Sequence, residues 1–186
     1  MEQLLSPKLL IRKATMPDIP AILTLINGYA AQEIMLPRTE FELSEFIRDF
    51  TVIYSGSKLI GCAALHFYSP TIAEVRSLAV NPEAKGTGAG RQLMQAIEVE
   101  AKSFDLYALF AFTYVPDFFS KMGYALVDRN ELPLKAWKDC LRCPKFQACD
   151  EIAVLKRLKE TVAPLIRSEP FHVFAPDIAL PRPSGH

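Results

Sequence analysis

Ala73–Ala101, AEVRSLAVNPEAKGTGAGRQLMQAIEVEA, is the stretch around which the chain is organised. It reads as a strand, a glycine-rich loop and a helix. Val75, Leu78, Ala79 and Val80 are apolar and partly β-branched, as a strand requires. Asn81-Pro82 ends it, because proline donates no ladder hydrogen bond and biases the residue before it toward extended geometry. Lys85-Gly86-Thr87-Gly88-Ala89-Gly90 follows. Leu93, Met94, Ile97 and Ala101 then recur at the spacing of one face of an amphipathic helix. A glycine loop that opens a helix is an anion site, because the first turn carries unpaired N–H groups and the positive end of the helix dipole. The expected ligand is a phosphate or pyrophosphate. No Gly-Lys-Ser/Thr follows, and the alternating glycines do not fit G-x-G-x-x-G, so neither a Walker loop nor a dinucleotide fingerprint is present.

Composition sets the bounds. At 186 residues one domain with a substantial core is expected. Lys plus Arg and Asp plus Glu both number 21, so no nucleic-acid footprint is expected. No apolar run is long enough to span a membrane. The N-terminus lacks the apolar core and cleavage site of a signal peptide, so a cytoplasmic location is expected. The four cysteines are then expected to be reduced, metal-bound or buried rather than disulfide-bonded.

Outside the central stretch, Leu9–Ala14 reads as a first strand. Thr15 with Asp18 resembles a capping box, ahead of an apolar stripe of Ile19, Ile22, Leu23 and Ile26. Thr39 with Glu42 forms a second box, ahead of Leu43, Phe46, Ile47 and Phe50. Arg38 thus precedes a helix start; it reads either as a solvated arginine or as a two-pronged carboxylate clamp. Thr51–Ser55 and Leu59–Tyr68 read as a hairpin, Leu106–Thr113 as a strand, Val115–Met122 as a helix stopped by Gly123, and Tyr124–Val127 as a last strand. The expected order is β-α-α-β-β-β-α-β-α-β. His66 reads as a core or surface histidine before an active-site one. The tail from Ser168 is proline-rich and reads as extended.

L-A-V-N-P-x-x-K-G-x-G-x-G-R-x-L resembles the coenzyme A loop of the GNAT acetyltransferases. LPRTEFELSEFIRDF, GCAALHFY, AEVRSLAV, LFAFTYVPDFFSKMGY and NELP, in that order, further resemble the acetyltransferase domain of the amino-acid N-acetyltransferases, the N-acetylglutamate synthases. The resemblance covers residues 9–158, including the cysteine-rich 140–149, and leaves 159–186 as a C-terminal extension. It implies an α/β GNAT fold: a mixed, mostly antiparallel sheet flanked by helices, with one splayed strand pair at the acetyl-CoA site. It implies transfer of an acetyl group from acetyl-CoA to the α-amine of L-glutamate, the opening step of arginine biosynthesis. A stand-alone version without the kinase-like domain is expected, and with it no regulation by arginine through such a domain.

The resemblance also assigns roles. Arg38 matches the arginine that holds the substrate carboxylate, and Leu36 a backbone contact beside it. Glu74 matches the general base, with a solvated strand charge as the plainer reading. Leu78, Ala79 and Val80 match the strand that pairs with the pantetheine arm. Lys85, Gly86, Thr87, Gly88, Ala89, Gly90 and Arg91 match the pyrophosphate loop. The tyrosine that often protonates the departing thiolate is replaced by Phe119, leaving Thr113 or Tyr114 as substitutes, or no acid at all. The arginine often found before the fifth strand is absent, with Ala108 near its place, so a second carboxylate partner falls to Arg142 or Lys145.

Cys140, Cys143 and Cys149 form C-x2-C-x5-C. Zinc, an iron–sulfur cluster, redox-active thiols and no cofactor all remain open for them, since a structural zinc wants a fourth ligand. Cys62, Asp150, His172 or a partner chain are the options for it. Acetylation of another small amine or amino acid stays open within the same class, and Phe119 with these cysteines leaves open a non-catalytic acyl-CoA or redox sensor. Exposed strand edges and the tail are compatible with a homodimer.

Overall fold

The computed structural model describes residues 9–132, 145 and 149–160. In chain order the main elements are β1 (Leu9–Lys13), α1 (Ile19–Ala30), α2 (Glu40–Phe46), β2 (Phe50–Ser55), β3 (Lys58–Phe67), β4 (Ile72–Val80), α3 (Ala89–Ser103), β5 (Ala108–Thr113), α4 (Pro116–Ser120), β6 (Ala125–Leu126) and β7 (Ile152–Arg157). The strands form one seven-stranded sheet in the order β1-β2-β3-β4-β5-β7-β6. Only β4 and β5 run parallel; the other neighbours are antiparallel.

The expected order holds from β1 through β6, with one strand added. β7 was not expected; it inserts between β5 and β6 and pairs with all six residues of β5. Its sequence, IAVLKR, is short and sits beyond the cysteine-rich segment, so only the long-range partner makes it a strand. α4 is shorter than Val115–Met122, and Gly123 at φ 84° ends the turn as expected.

Two apolar layers sandwich the sheet. α3 buries Leu93, Met94, Ile97 and Ala101, the face read from its spacing, against β2, β3 and β4. Gly61 allows this close approach: a Cβ there would lie 2.9 Å from the Ala79 carbonyl oxygen and 3.0 Å from Leu93. On the opposite face α1 and α2 bury Ile22, Ile26 and Leu43 against Val52, Cys62 and Ala64. A third cluster around Phe110 continues that face across β5 and β7.

One polar clasp fixes how α1 meets the sheet. Buried Asp18 accepts from both Arg12 guanidinium nitrogens (2.7 and 2.8 Å), from the Thr15 N–H (2.7 Å) and from the Tyr54 hydroxyl (2.7 Å). It thereby ties β1, the turn before α1 and β2 together. The Arg12 bond is the largest cause that holds the Asp18 carboxyl far below the usual carboxylate range, against the opposing effect of burial. A carboxylate whose acidity is strengthened by folding adds stability that is complete above its unfolded value of about 3.9 and is lost as pH falls below it. Asp18→Asn is therefore expected to lower stability by about 2 kcal/mol at pH 7. Urea unfolding at pH 7 and pH 3 checks this, with the gap from wild type shrinking at the lower pH.

Candidate active site

β4 and β5 share only three rungs, Ile72↔Ala108, Ala73↔Leu109 and Glu74↔Phe110. Beyond Glu74, β4 follows β3 to Val80 while β5 follows β7 to Thr113. A cleft opens between them, and the β4 edge over 75–80 has no strand partner on that side among the described residues. Within this edge the β3–β4 register slips between Cys62↔Ala79 and Ala64↔Arg76. Ser77 takes up the extra residue in a bulge at φ 53°. The bulge resets side-chain alternation. Glu74 and Arg76 face α1 and α2; Leu78 and Val80 pack toward α3, and Ala79 returns to the α1 face. The Tyr29 hydroxyl donates to the Val80 carbonyl (2.6 Å) and fixes the end of this edge.

The glycine loop lies directly beyond. Lys85, Gly86, Thr87 and Gly88 are exposed, with Gly86 at φ 80° and Gly88 at φ 88°. The first intrahelical bond runs from the Gln92 N–H to the Gly88 carbonyl (3.0 Å). The N–H groups of Ala89, Gly90 and Arg91 therefore precede any helical acceptor and point out of the helix start, a cradle for an anion. The Thr87 hydroxyl is used within the loop, donating to the Ala84 carbonyl (2.7 Å). Lys85 Nζ sits 5.2 Å from the Tyr29 ring centre. A Cβ at Gly90 would lie 3.5 Å from both Phe118 and Val80, so α3 opens close against α4 and β4.

On the α1–α2 face, Glu74 is 1% exposed at the last shared rung. The Tyr68 hydroxyl donates to its Oε2 (3.2 Å). His66 stands opposite it in register, with Nδ1 2.8 Å from Asp49 Oδ2 and its ring edge-on to Tyr68 and Phe46. Arg38 is held by its backbone: Asn27 Nδ2 donates to the Arg38 carbonyl (3.0 Å), and the Arg38 N–H donates to Asn27 Oδ1 (2.9 Å). The expected cap at Thr39 is present, with Glu42 N–H donating to Thr39 Oγ1 (3.2 Å). Arg38 and Arg76 line one crevice with Glu42, Leu43, Phe46 and Phe50. Leu36 lies half-buried on the turn just before.

The remaining candidates separate. Buried Thr113, three residues past the last β4 rung, accepts from the Val115 N–H (2.9 Å). It shares its sheet face with Leu109 and Ala111, opposite to that of Glu74. The Tyr114 hydroxyl instead donates to Asp150 Oδ1 (2.9 Å). Burial, then that bond, pushes its pKa up. Lys145 Nζ lies 5.0 Å from the Tyr114 ring centre and 3.8 Å from Asp150 Oδ2. Phe119 is core, packed edge-on to Phe118 and Tyr124. Cys140, Cys143, Arg142 and His172 lie outside the described residues. Cys149 is half-buried with Sγ 4.0 Å from Glu151. Cys62, offered as a further ligand, is instead core; its thiol donates to the Ser77 carbonyl (3.7 Å), and burial pushes its pKa up to about 12. Among the described residues no three His, Cys, Asp or Glu side chains gather as a metal site.

The model for the acetyltransferase (GNAT) family matches residues 19–124, which span both walls of the cleft and the loop. The chain belongs to this family. It is an acetyl-CoA-dependent N-acetyltransferase. It is 40% identical over 148 residues to an uncharacterized N-acetyltransferase of Chlorobaculum tepidum, covering 80% of this chain and 96% of that one. It is 35% identical over 127 residues to the amino-acid acetyltransferase of Pasteurella multocida, covering 67% of this chain but 29% of the longer relative. The structure of N-acetylglutamate synthase from Neisseria gonorrhoeae complexed with coenzyme A and N-acetyl-glutamate superposes with a TM-score of 0.74 at 29% identity. That match covers 82% of this chain and 35% of the other. Among the described residues no helix is long and apolar enough to cross a membrane.

Sequence reading missed three site residues of this GNAT chain: Asn27, Tyr68 and Arg76. Asn27 sits on a helix whose apolar stripe drew the reading, eleven positions from the backbone it holds. The strand period gave a usable signal for Arg76, which shares the Glu74 face. Gly88→Ala should weaken coenzyme A binding about tenfold or more, because an L side chain at φ 88° costs about 1–2 kcal/mol and displaces the cradle. Isothermal titration with coenzyme A checks it.

Proposed function

We propose that the chain transfers the acetyl group of acetyl-CoA to the α-amine of L-glutamate, the first step of arginine biosynthesis. The observation that carries this reading is Glu74: a buried carboxylate at the last rung before the strands part, on the face that also bears Arg38. Similarity to amino-acid acetyltransferases and to an N-acetylglutamate synthase supports it.

In this reading Lys85 to Arg91 hold the pyrophosphate, with the N–H groups of Ala89, Gly90 and Arg91 as donors. The pantetheine arm adds to the β4 edge as a strand would, on the backbone of Leu78, Ala79 and Val80. Arg38 grips the α-carboxylate with its fork, pinned by Asn27, and Leu36 contributes backbone beside it. An α-ammonium has no lone pair, so Glu74, oriented by Tyr68, takes its proton directly or through a water. The free amine attacks the thioester carbonyl, and a backbone N–H on the unpaired β4 edge stabilises the oxyanion. Collapse breaks the C–S bond and releases the amide and the thiolate. In this reading Thr113, on the opposite face and with its oxygen accepting from the Val115 N–H, returns a proton to sulfur. Tyr114, whose proton is committed to Asp150, is the weaker of the two candidates. Base and acid thus flank the cleft from its two faces.

The test is incubation of the purified chain with acetyl-CoA and a panel of amino acids, with products read by mass spectrometry. Selective N-acetylglutamate supports the reading, and a different acetylated amine overturns the substrate. Glu74→Gln should lower kcat about 100-fold or more with coenzyme A affinity unchanged. Steady-state rates with a parallel binding titration check this; unaltered turnover removes Glu74 as base. Arg38→Ala should raise the KM for glutamate at least tenfold while the KM for acetyl-CoA stays within twofold, a loss of about 1.4 kcal/mol or more in substrate binding alone.

A further inference from the structure

Tyr29 does more than its place in the core requires. It is 8% exposed on the last turn of α1, in the buried cluster that holds Ile26, Leu59 and Ala79. A phenylalanine would fill that space as well. The hydroxyl adds a bond to the Val80 carbonyl (2.6 Å). That carbonyl lies on the open side of β4. Asn81, the next residue, donates its N–H across to the Ile60 carbonyl of β3 (2.8 Å), so the alternation of the ladder turns the Val80 backbone groups toward the cleft. The ring adds a second contact: Lys85 Nζ lies 5.2 Å from its centre, a cation–π pair. Among the described residues Lys85 makes no ion pair; Glu83, two positions before it, is taken by Lys58. Lys85 is exposed and directly precedes Gly86, where the loop turns at φ 80°. A lysine stem loses rotamer freedom when a ligand pins it, and a ring against its ammonium removes part of that loss beforehand. One side chain of α1 thus touches both the strand edge and the start of the anion loop.

We propose that Tyr29 is a positioning residue for acetyl-CoA. Its hydroxyl fixes the β4 edge on which the pantetheine arm pairs, and its ring holds Lys85 ready for the pyrophosphate. The proposal rests on the reading above that puts the arm on Leu78, Ala79 and Val80 and the pyrophosphate on the loop. Tyr29 acts through Val80 and Lys85, not on the reacting atoms.

The experiment titrates wild type, Tyr29→Phe, Tyr29→Leu, Lys85→Met and the Tyr29→Leu/Lys85→Met double variant with two probes. One is coenzyme A; the other is adenosine 3′-phosphate 5′-diphosphate, which keeps the pyrophosphate and lacks the arm. Tyr29→Phe keeps the ring and loses the bond to Val80. It should weaken coenzyme A about fivefold and leave the nucleotide within about twofold of wild type. Tyr29→Leu loses both contacts and should also weaken the nucleotide, by about fivefold. Lys85→Met should weaken the nucleotide about tenfold, and the double variant should bind it within about twofold of Lys85→Met, because the ring acts through the lysine. A cooperative thermal transition shows which variants fold, and Tyr29→Phe, which keeps the buried ring, decides the hydroxyl contact whatever the fate of Tyr29→Leu. Wild-type affinity of Tyr29→Phe for coenzyme A, or equal losses on both probes, would overturn the proposal. So would losses that add in the double variant, which would make Tyr29 a packing residue alone. Unaltered affinity of Lys85→Met for both probes would instead overturn the reading that puts the pyrophosphate at Lys85.

Discussion

The three-rung limit on the β4–β5 ladder is the constraint on which the rest of this structure depends. A parallel pair that continued to Val80 and Thr113 would satisfy every backbone group and leave nothing for a ligand to pair with. Ending the pair at Glu74 leaves a strand edge inside the protein, where an exposed edge is normally a liability. The flanking ladders make the break tolerable. β3 holds β4 along most of its length, and β7 holds β5 at every residue. Each strand flanking the cleft is thus held by its outer neighbour while the cleft between them stays open.

The Ser77 bulge divides the labour between the faces of that cleft. A regular strand would put residues 74, 76, 78 and 80 on one side. Inserting one residue keeps Glu74 and Arg76 toward α1 and α2 and turns Leu78 and Val80 toward α3. The charged residues of β4 thus face α1 and α2, and its apolar Leu78 and Val80 pack against the α3 side. A positive φ at a non-glycine residue costs free energy, and the surrounding ladders sustain it. The Cys62 thiol, bonded to the Ser77 carbonyl, is part of that support rather than part of any metal site.

Side chains that look structural hold the functional ones. Asn27 grips the Arg38 backbone at both its N–H and its carbonyl, so the turn between α1 and α2 cannot swing without breaking two half-buried bonds. Tyr29, two residues further along α1, reaches the Val80 carbonyl and stacks under Lys85. α1 therefore ties the Arg38 turn to the end of β4 and to the start of the glycine loop. The Asp18 clasp fixes where α1 starts.

The sequence by itself determined whatever is local. Proline ended β4, the glycines at positive φ and the apolar face of α3 announced the anion loop, and both capping pairs marked helix starts, because each depends on residues a few positions apart. The motif around that loop was specific enough to carry the family. Tertiary structure alone decided what depends on partners distant in sequence. IAVLKR became β7 only by pairing with β5; Tyr114 was drawn away by Asp150, and Arg76 joined Arg38 because a strand and a turn 38 positions apart share one crevice. No periodicity encodes such meetings, since they arise from the register of a ladder and the packing of a helix across it.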